Sequence, residues 1–448
     1  MYDYDVIYIG SGHSCWHGAK VLAAAGKKVA FVERYLPGGT CTNYGCNAKI
    51  LLDSPFGLID GLERYKGLCI DSVPSVAWKP LMQYKKDTLK AYPPALEEMY
   101  KAMGADLFKA EGRLVDAHTV SAGDKKITGE YIVIGTGERA KRQNVPGQEY
   151  IHDSTDLLSR DEFPKRLVLI GAGIISMEFA AMAVKMGGET TIIQYNDRVL
   201  SMYPKKYTER ITAKLKAEGA RFCFNESVAR IDKAGDAFKV TLKSGAVIEC
   251  DYILEATGRR ANCDNLGLED VGIDFSEKGI KVNEYLQSSV PNIYASGDVI
   301  DKRIPRLTPT ASFESIYIAE HILGKKDPIC YPAVPNLVFT LPRIAQVGVT
   351  VAEAEKNPAK YRIEVVPYGK AMLFDSSNEA DNEFTFIFDG DNYLVGAAFY
   401  GTEAASLVNF VTFIINKKIT GEELDHMIFA FPTQTYGAYS MLASLMTK

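Results

Sequence analysis

One pattern of apolar and polar positions occurs twice along the chain. Val6-Ile7-Tyr8-Ile9 follows Asp5 and stops at Gly10-Ser11-Gly12; a small-residue stretch runs from Ala19 to Ala25; then Val29-Ala30-Phe31-Val32 closes on Glu33. Apolar runs bounded by glycine predict strands, and the longer segment between them predicts a helix, so residues 5 to 33 read as strand, glycine turn, helix, strand. The order returns at Leu167-Val168-Leu169-Ile170, Gly171-Ala172-Gly173, the segment through Glu178-Phe179-Ala180, and Thr190-Thr191-Ile192-Ile193, which closes on Gln194. Gln194 stands as far past Gly171 as Glu33 stands past Gly10.

Glycines at these turns let the backbone approach a pyrophosphate at a helix N-terminus, and an acid ending the second strand accepts hydrogen bonds from ribose hydroxyls. The third glycine position holds Cys15 in the first copy and Ser176 in the second, both small enough for close helix–strand contact. A lone glycine turn precedes many helices without binding anything. Two copies in one register predict two different dinucleotides. Neutral Gln194 neither repels a ribose 2′-phosphate as an acid would nor attracts it as an arginine would. Tyr195, Asn196 and Asp197 add no adjacent cation, although Arg198, Lys205 and Lys206 lie within reach of a loop. The balance favours NAD, with NADP left open.

The chain has 448 residues, enough for roughly two to four domains. Hydrophobic residues make up 47% and charged ones 24%, and the net charge of −5 supplies no basic surface for nucleic acid. The first predicted strand begins almost at Met1, leaving no room for a secretory leader, and no run of eighteen apolar residues follows. A cytoplasmic protein without membrane attachment is expected. Six of the eight cysteines (Cys15, Cys69, Cys223, Cys250, Cys263, Cys330) are scattered and read as small apolar residues.

The other two stand in Gly38-Gly39-Thr40-Cys41-Thr42-Asn43-Tyr44-Gly45-Cys46, just beyond the first dinucleotide unit. Closely spaced cysteines beside an electron-carrying cofactor point to thiol redox chemistry. The alternative is a structural bridge, but one closing so short a loop would stabilise little.

These motifs together resemble the class I pyridine nucleotide-disulfide oxidoreductases, the flavoproteins that include dihydrolipoamide dehydrogenase, glutathione reductase and mercuric reductase. The likeness extends over nearly the whole chain through Ile134-Gly135-Thr136-Gly137, Ala256-Thr257-Gly258-Arg259, Ile293-Tyr294-Ala295-Ser296-Gly297-Asp298-Val299, Leu307-Thr308-Pro309 with Ala311, and Val338-Phe339-Thr340 with Val347-Gly348. It implies an α/β fold with two Rossmann-like dinucleotide-binding domains and a C-terminal α+β dimerisation domain. The FAD-binding domain would comprise residues 1–150 and 271–331, the NAD(P)-binding domain 151–270, and the interface domain of a homodimer 332–448. By resemblance, FAD would meet Gly10, Gly12, Glu33 at its adenosine ribose, Gly39, Thr40, Gly112, Thr136, Gly137, Asp298 at its ribityl chain, Thr308 and Ala311. NAD would meet Gly171, Gly173, Gln194, Val228 and Gly258. Cys46 takes the place of the flavin-contacting sulfur and Cys41 that of the interchange thiol.

The chain departs from the family pattern at three places. Where the family has a histidine and, five residues later, a glutamate as the base pair supplied by the partner subunit, Phe431 and Tyr436 stand in Ala430-Phe431-Pro432-Thr433-Gln434-Thr435-Tyr436. General-base assistance is worth about 10²–10⁴-fold, so a standard disulfide substrate is disfavoured; His426, nearby, reads as a surface or capping residue. The family lysine four residues past the second cysteine is replaced by Ile50, with Lys49 one position early, and Lys49 is expected to pair with Glu178. Mercuric reductase is the weaker fit within the family, since Met441-Leu442-Ala443-Ser444-Leu445-Met446-Thr447-Lys448 contains no cysteine pair to receive a metal ion. At the first helix, His13 and His17 can share a face while Cys15 points elsewhere, so no metal site is expected there.

The expected function is therefore an FAD-dependent NAD(P)H oxidoreductase with a redox-active Cys41–Cys46 pair, Glu178 and Lys49 beside it. The acceptor would be a metal ion, a quinone, an oxidant or an unusual disulfide. A flavin-bearing redox sensor with little turnover is the alternative.

Overall fold

The computed structural model describes residues 1–447. Its first sheet has seven strands. Strand β1 (Tyr4–Ile9) pairs in parallel with β2 (Val29–Glu33) on one side and with β3 (Lys125–Ile134) on the other, and Asp106–Lys109 lies outside β2. Ile293–Ala295, distant in sequence, adds to β3 in parallel, so the sheet is completed by a segment beyond the second nucleotide unit. Val6, Ile7, Tyr8, Val29, Ala30 and Phe31 are fully buried, which accounts for runs with no polar alternation. Helix α1 (His13–Ala24) starts earlier than the small-residue stretch Ala19–Ala25 and lies across this sheet, with Cys15, Ala19 and Leu22 turned inward.

A four-stranded parallel sheet repeats the arrangement, its strand order Arg221–Phe224, Glu189–Gln194, Arg166–Ile170, Tyr252–Glu255. Helix Ile174–Lys185 lies between the two central strands in sequence and is buried along most of its length, Glu178 included. The C-terminal part is built on a five-stranded antiparallel sheet. Phe384, Phe386, Phe388 and Phe399 fill one side of it against the helices Ala404–Lys417 and Gln434–Met446. Among the described residues, no helix is long and apolar enough to cross a membrane.

Candidate active site

Three glycines shape the segment that carries the cysteines. Gly38 (φ +92°) and Gly39 (φ +68°) adopt left-handed backbone before α2 (Gly39–Tyr44), and Gly45 separates α2 from α3 (Cys46–Glu63). A Cβ on Gly39 would stand 2.9 Å from Gly12 Cα, so the dithiol segment and the first glycine turn meet backbone to backbone. Cys46 is thereby the first residue of an 18-residue helix, where the unpaired N–H groups favour an anion.

Both cysteines are free thiols, and each acts on the proton of the other. Cys46 Sγ also lies 3.5 Å from Thr308 Oγ1, at the start of α4 (Thr308–Ile322). Donation from Cys41 lowers the Cys46 thiol to about 6 against the penalty of burial, with further help from Thr308 and the Lys49 charge. Cys41 moves the opposite way: holding the proton that stabilises Cys46, and itself desolvated, it is pushed well up. Of the two sulfurs, Cys46 is the one favoured as thiolate.

One turn into α3, Lys49 Nζ donates to Glu178 Oε1 at 3.0 Å and lies 3.9 Å over the Phe339 ring. Phe339 N donates to the same carboxylate oxygen at 2.9 Å. Burial raises the Glu178 carboxyl, while Lys49 and the Phe339 amide pull it down. The one-position shift of the lysine is thus absorbed, and the pair expected from sequence is present.

At the first glycine turn, where FAD is expected, the backbone is closely approached. Gly10, at φ +110°, would place a Cβ 2.6 Å from Gly135 O. Glu33 accepts from Ser11 N and Ser11 Oγ through Oε2 and from Tyr35 N through Oε1, which fixes it at the end of β2. Asp298 is the clearest sign of a missing partner: its Oδ1 is buried and has no hydrogen bond, and desolvation raises its carboxyl. A hydroxylated chain would satisfy it, so the residues fit FAD. Glu314, unnoticed in the sequence, holds this corner: Oε2 accepts from Gly297 N at 2.6 Å, and Oε1 meets Lys302 Nζ at 2.6 Å and Tyr331 OH at 2.8 Å. Thr136 Oγ1 donates to Asn262 O at 2.8 Å, Gly137 (φ +66°) has open space beside it, and Ala311 is buried. Gly112 has a packing role, since its Cβ would meet Ile9 at 2.9 Å and Val32 at 3.1 Å. Thr40 lies in the first turn of α2.

The second glycine turn copies the first. A Cβ on Gly171 (φ +93°) would stand 2.7 Å from Ala256 O; Gly173 caps the following helix; Gly258 (φ +138°) faces open space. Gln194 Oε1 accepts from Ala172 N at 3.0 Å, as Glu33 accepts from Ser11, and its Nε2 donates to Asn196 Oδ1 and Arg198 O. Val228 is buried at the start of strand Val228–Ala234.

Phe431 is 62% exposed and meets Tyr436 edge to face at 5.2 Å. His426 Nδ1 lies 2.8 Å from Glu422 O, at the end of helix Gly421–Asp425. Cys15 is buried against Gly135. His13 Nδ1 and His17 Nε2 are 3.1 Å apart; burial lowers both imidazoles, His17 to about 4 with the help of His13 and Lys20.

The family described as "Pyridine nucleotide-disulphide oxidoreductase" matches residues 4–315, and its dimerisation domain matches residues 334–438. The chain belongs to this family. It is an FAD-dependent disulfide oxidoreductase that uses a nicotinamide dinucleotide. Dihydrolipoyl dehydrogenase of Chlamydia muridarum is 30% identical over 452 residues, covering 96% of this chain and 94% of that protein. That of Bacillus subtilis is also 30% identical, over 448 residues, with coverage of 96% and 93%. Among solved structures, the HOCl-induced flavoprotein disulfide reductase RclA from Escherichia coli superposes with a TM-score of 0.88 at 24% identity, covering 99% of this chain and 100% of that one. The two Rossmann-like units and the dimerisation domain are those of the family.

Proposed function

We propose that Cys41 and Cys46 are the redox-active pair of an NAD(P)H oxidoreductase whose acceptor does not rely on a histidine–glutamate base. The observation carrying this reading is the placement of Cys46 as the first residue of α3, 3.5 Å from Thr308 Oγ1 and one turn from Lys49, a setting that favours its thiolate over that of Cys41. The net exchange is NAD(P)H plus the Cys41–Cys46 disulfide, giving NAD(P)⁺, the Cys41 thiol and the Cys46 thiolate; below the Cys46 value one further proton is taken up to give the dithiol. When bound, FAD supplies the two-electron relay between nicotinamide and sulfur. Gly10, Gly12, Glu33, Gly39 and Asp298 would hold it; Thr308 and Lys49 keep Cys46 as thiolate; Glu178 holds Lys49.

Cys41 must lose its proton before it can attack an acceptor. With Phe431 and Tyr436 in the base positions, that proton goes to solvent or to the acceptor itself. A metal ion, a quinone, an oxidant or an unusually reactive disulfide meets this condition better than an ordinary disulfide substrate does. The dimerisation domain supports a homodimer as the working unit.

NADH is the proposed donor. Gln194 spends both ends of its amide on the protein, Arg198 Nη2 donates to Tyr203 O at 2.6 Å, and Lys206 is paired with Glu383. Arg198 and Lys206 thus have partners within the protein, and Lys205 is exposed with Glu209 3.7 Å away. Anaerobic reduction with NADH and NADPH, followed by reoxidation with metal, quinone, hypohalite and disulfide acceptors, tests the reading. If dioxygen outpaces every acceptor, turnover is not the function and the flavin-bearing sensor takes its place.

A further inference from the structure

Two imidazoles that the dithiol chemistry does not use face each other at the start of α1. His13 and His17 have the i, i+4 spacing that puts side chains on one helical face, and His13 Nδ1 lies 3.1 Å from His17 Nε2. Trp16 stacks on His17 with ring centroids 3.5 Å apart and planes at 24°, and touches His13 at 5.4 Å. The indole therefore fixes both rings. Among the described residues, neither imidazole hydrogen-bonds to any group but the other.

The gap has the dimensions of a chelate. Two imidazole nitrogens, each about 2.05 Å from one ion and subtending roughly 90° to 109° there, stand about 2.9–3.3 Å apart. The observed 3.1 Å falls within that range, so turning the rings about their own bonds can aim both nitrogens at one ion. Cys15 takes no part, because its Sγ is fully buried against Gly135. No third side-chain ligand joins the pair: the one three-member cluster of such ligands among the described residues is Asp60, Glu63 and Glu218, already neutralised by Lys185 and Lys214. Two imidazoles with open positions suit copper, nickel or zinc rather than magnesium or calcium, which prefer oxygen.

The address gives the pair meaning. His13 follows Gly12, whose Cα is 2.9 Å from the Cβ position of Gly39, and Gly39 opens the helix that carries Cys41. We infer that His13 and His17 form a two-imidazole site for a late first-row divalent cation beside the helix that carries Cys41. This site is independent of which acceptor the dithiol serves.

The test uses untagged, FAD-loaded protein, with Cys41 and Cys46 joined as the disulfide where both are present and every remaining accessible thiol, Cys46 of Cys41→Ser included, alkylated, titrated with Zn²⁺ against a chromophoric chelator. Wild type and Cys41→Ser should each bind one equivalent per protomer, and His17→Gln should lose about tenfold or more in affinity, at least what loss of an outer-shell partner costs. In case His17→Gln fails to retain FAD, Cu²⁺ spin resonance on wild type labelled with ¹⁵N-histidine gives a second reading, with coupling to two imidazole nitrogens expected. Equal Zn²⁺ affinity in wild type and His17→Gln overturns the inference. So does binding lost only in Cys41→Ser, or a Cu²⁺ spectrum without histidine nitrogen.

Discussion

Cys46 and Cys41 differ in what surrounds their protons. Cys46 has Cys41, Thr308 and Lys49 acting on its thiolate, which brings it to about 6; Cys41 faces an existing negative charge. Because the Cys46 value is depressed, its thiolate is present above that pH and is lost as pH falls through it. Ultraviolet thiolate absorbance of the reduced protein should therefore titrate with a midpoint near pH 6 in wild type and higher in Lys49→Met; a wild-type midpoint near the ordinary 8.5 contradicts the assignment. Lys49→Met also strands the buried Glu178, at a cost of about 2 kcal/mol in denaturant unfolding, discounted because Lys49 is partly exposed. Adding Glu178→Gln should recover part of the loss. The cysteines, Lys49 and Glu178 were legible in the sequence because each sits in a short motif. Glu314 was not, since its partners Gly297, Lys302 and Tyr331 come together only through the fold.

At the level of elements, the strands of both nucleotide units follow their apolar runs to within a residue or two, since strands buried on both faces leave no polar position to blur the ends. The contact between α1 and α4 had no such signal. It depends on Gly18, where a Cβ would fall 2.2 Å from Ser315 O, and on Ser315 Oγ, which takes Gly18 N at 2.9 Å and donates to Cys15 O at 3.1 Å. These residues are distant in sequence and neither belongs to a motif. Gly18→Ala should force the helices apart, costing about 1–3 kcal/mol by denaturant unfolding and shifting Thr308 away from Cys46, so that the Cys46 midpoint rises. Unchanged stability would show that the helices separate freely. Gly10→Ala meets backbone at 2.6 Å in a left-handed conformation and should leave the purified protein without bound flavin.

At the scale of the whole molecule, the C-terminal part presents Ile428, fully exposed, and Phe431, 62% exposed, on the segment before the last helix. In a chain with a dimerisation domain these side chains mark surface for a second copy to cover. Sedimentation equilibrium should find a dimer, and Ile428→Asp should shift it toward monomer; a monomeric wild type would remove the partner from the proposed site. The central claim is that Cys41 and Cys46 accept electrons from nicotinamide. It is tested most directly by adding stoichiometric NADH anaerobically to the oxidised FAD-loaded protein, trapping thiols by alkylation and locating the label by peptide mass. The account predicts that Cys41 and Cys46 both become labelled, that no other cysteine changes, and that Cys46→Ser abolishes the gain. NADH oxidation with Cys41 and Cys46 remaining unlabelled would contradict it.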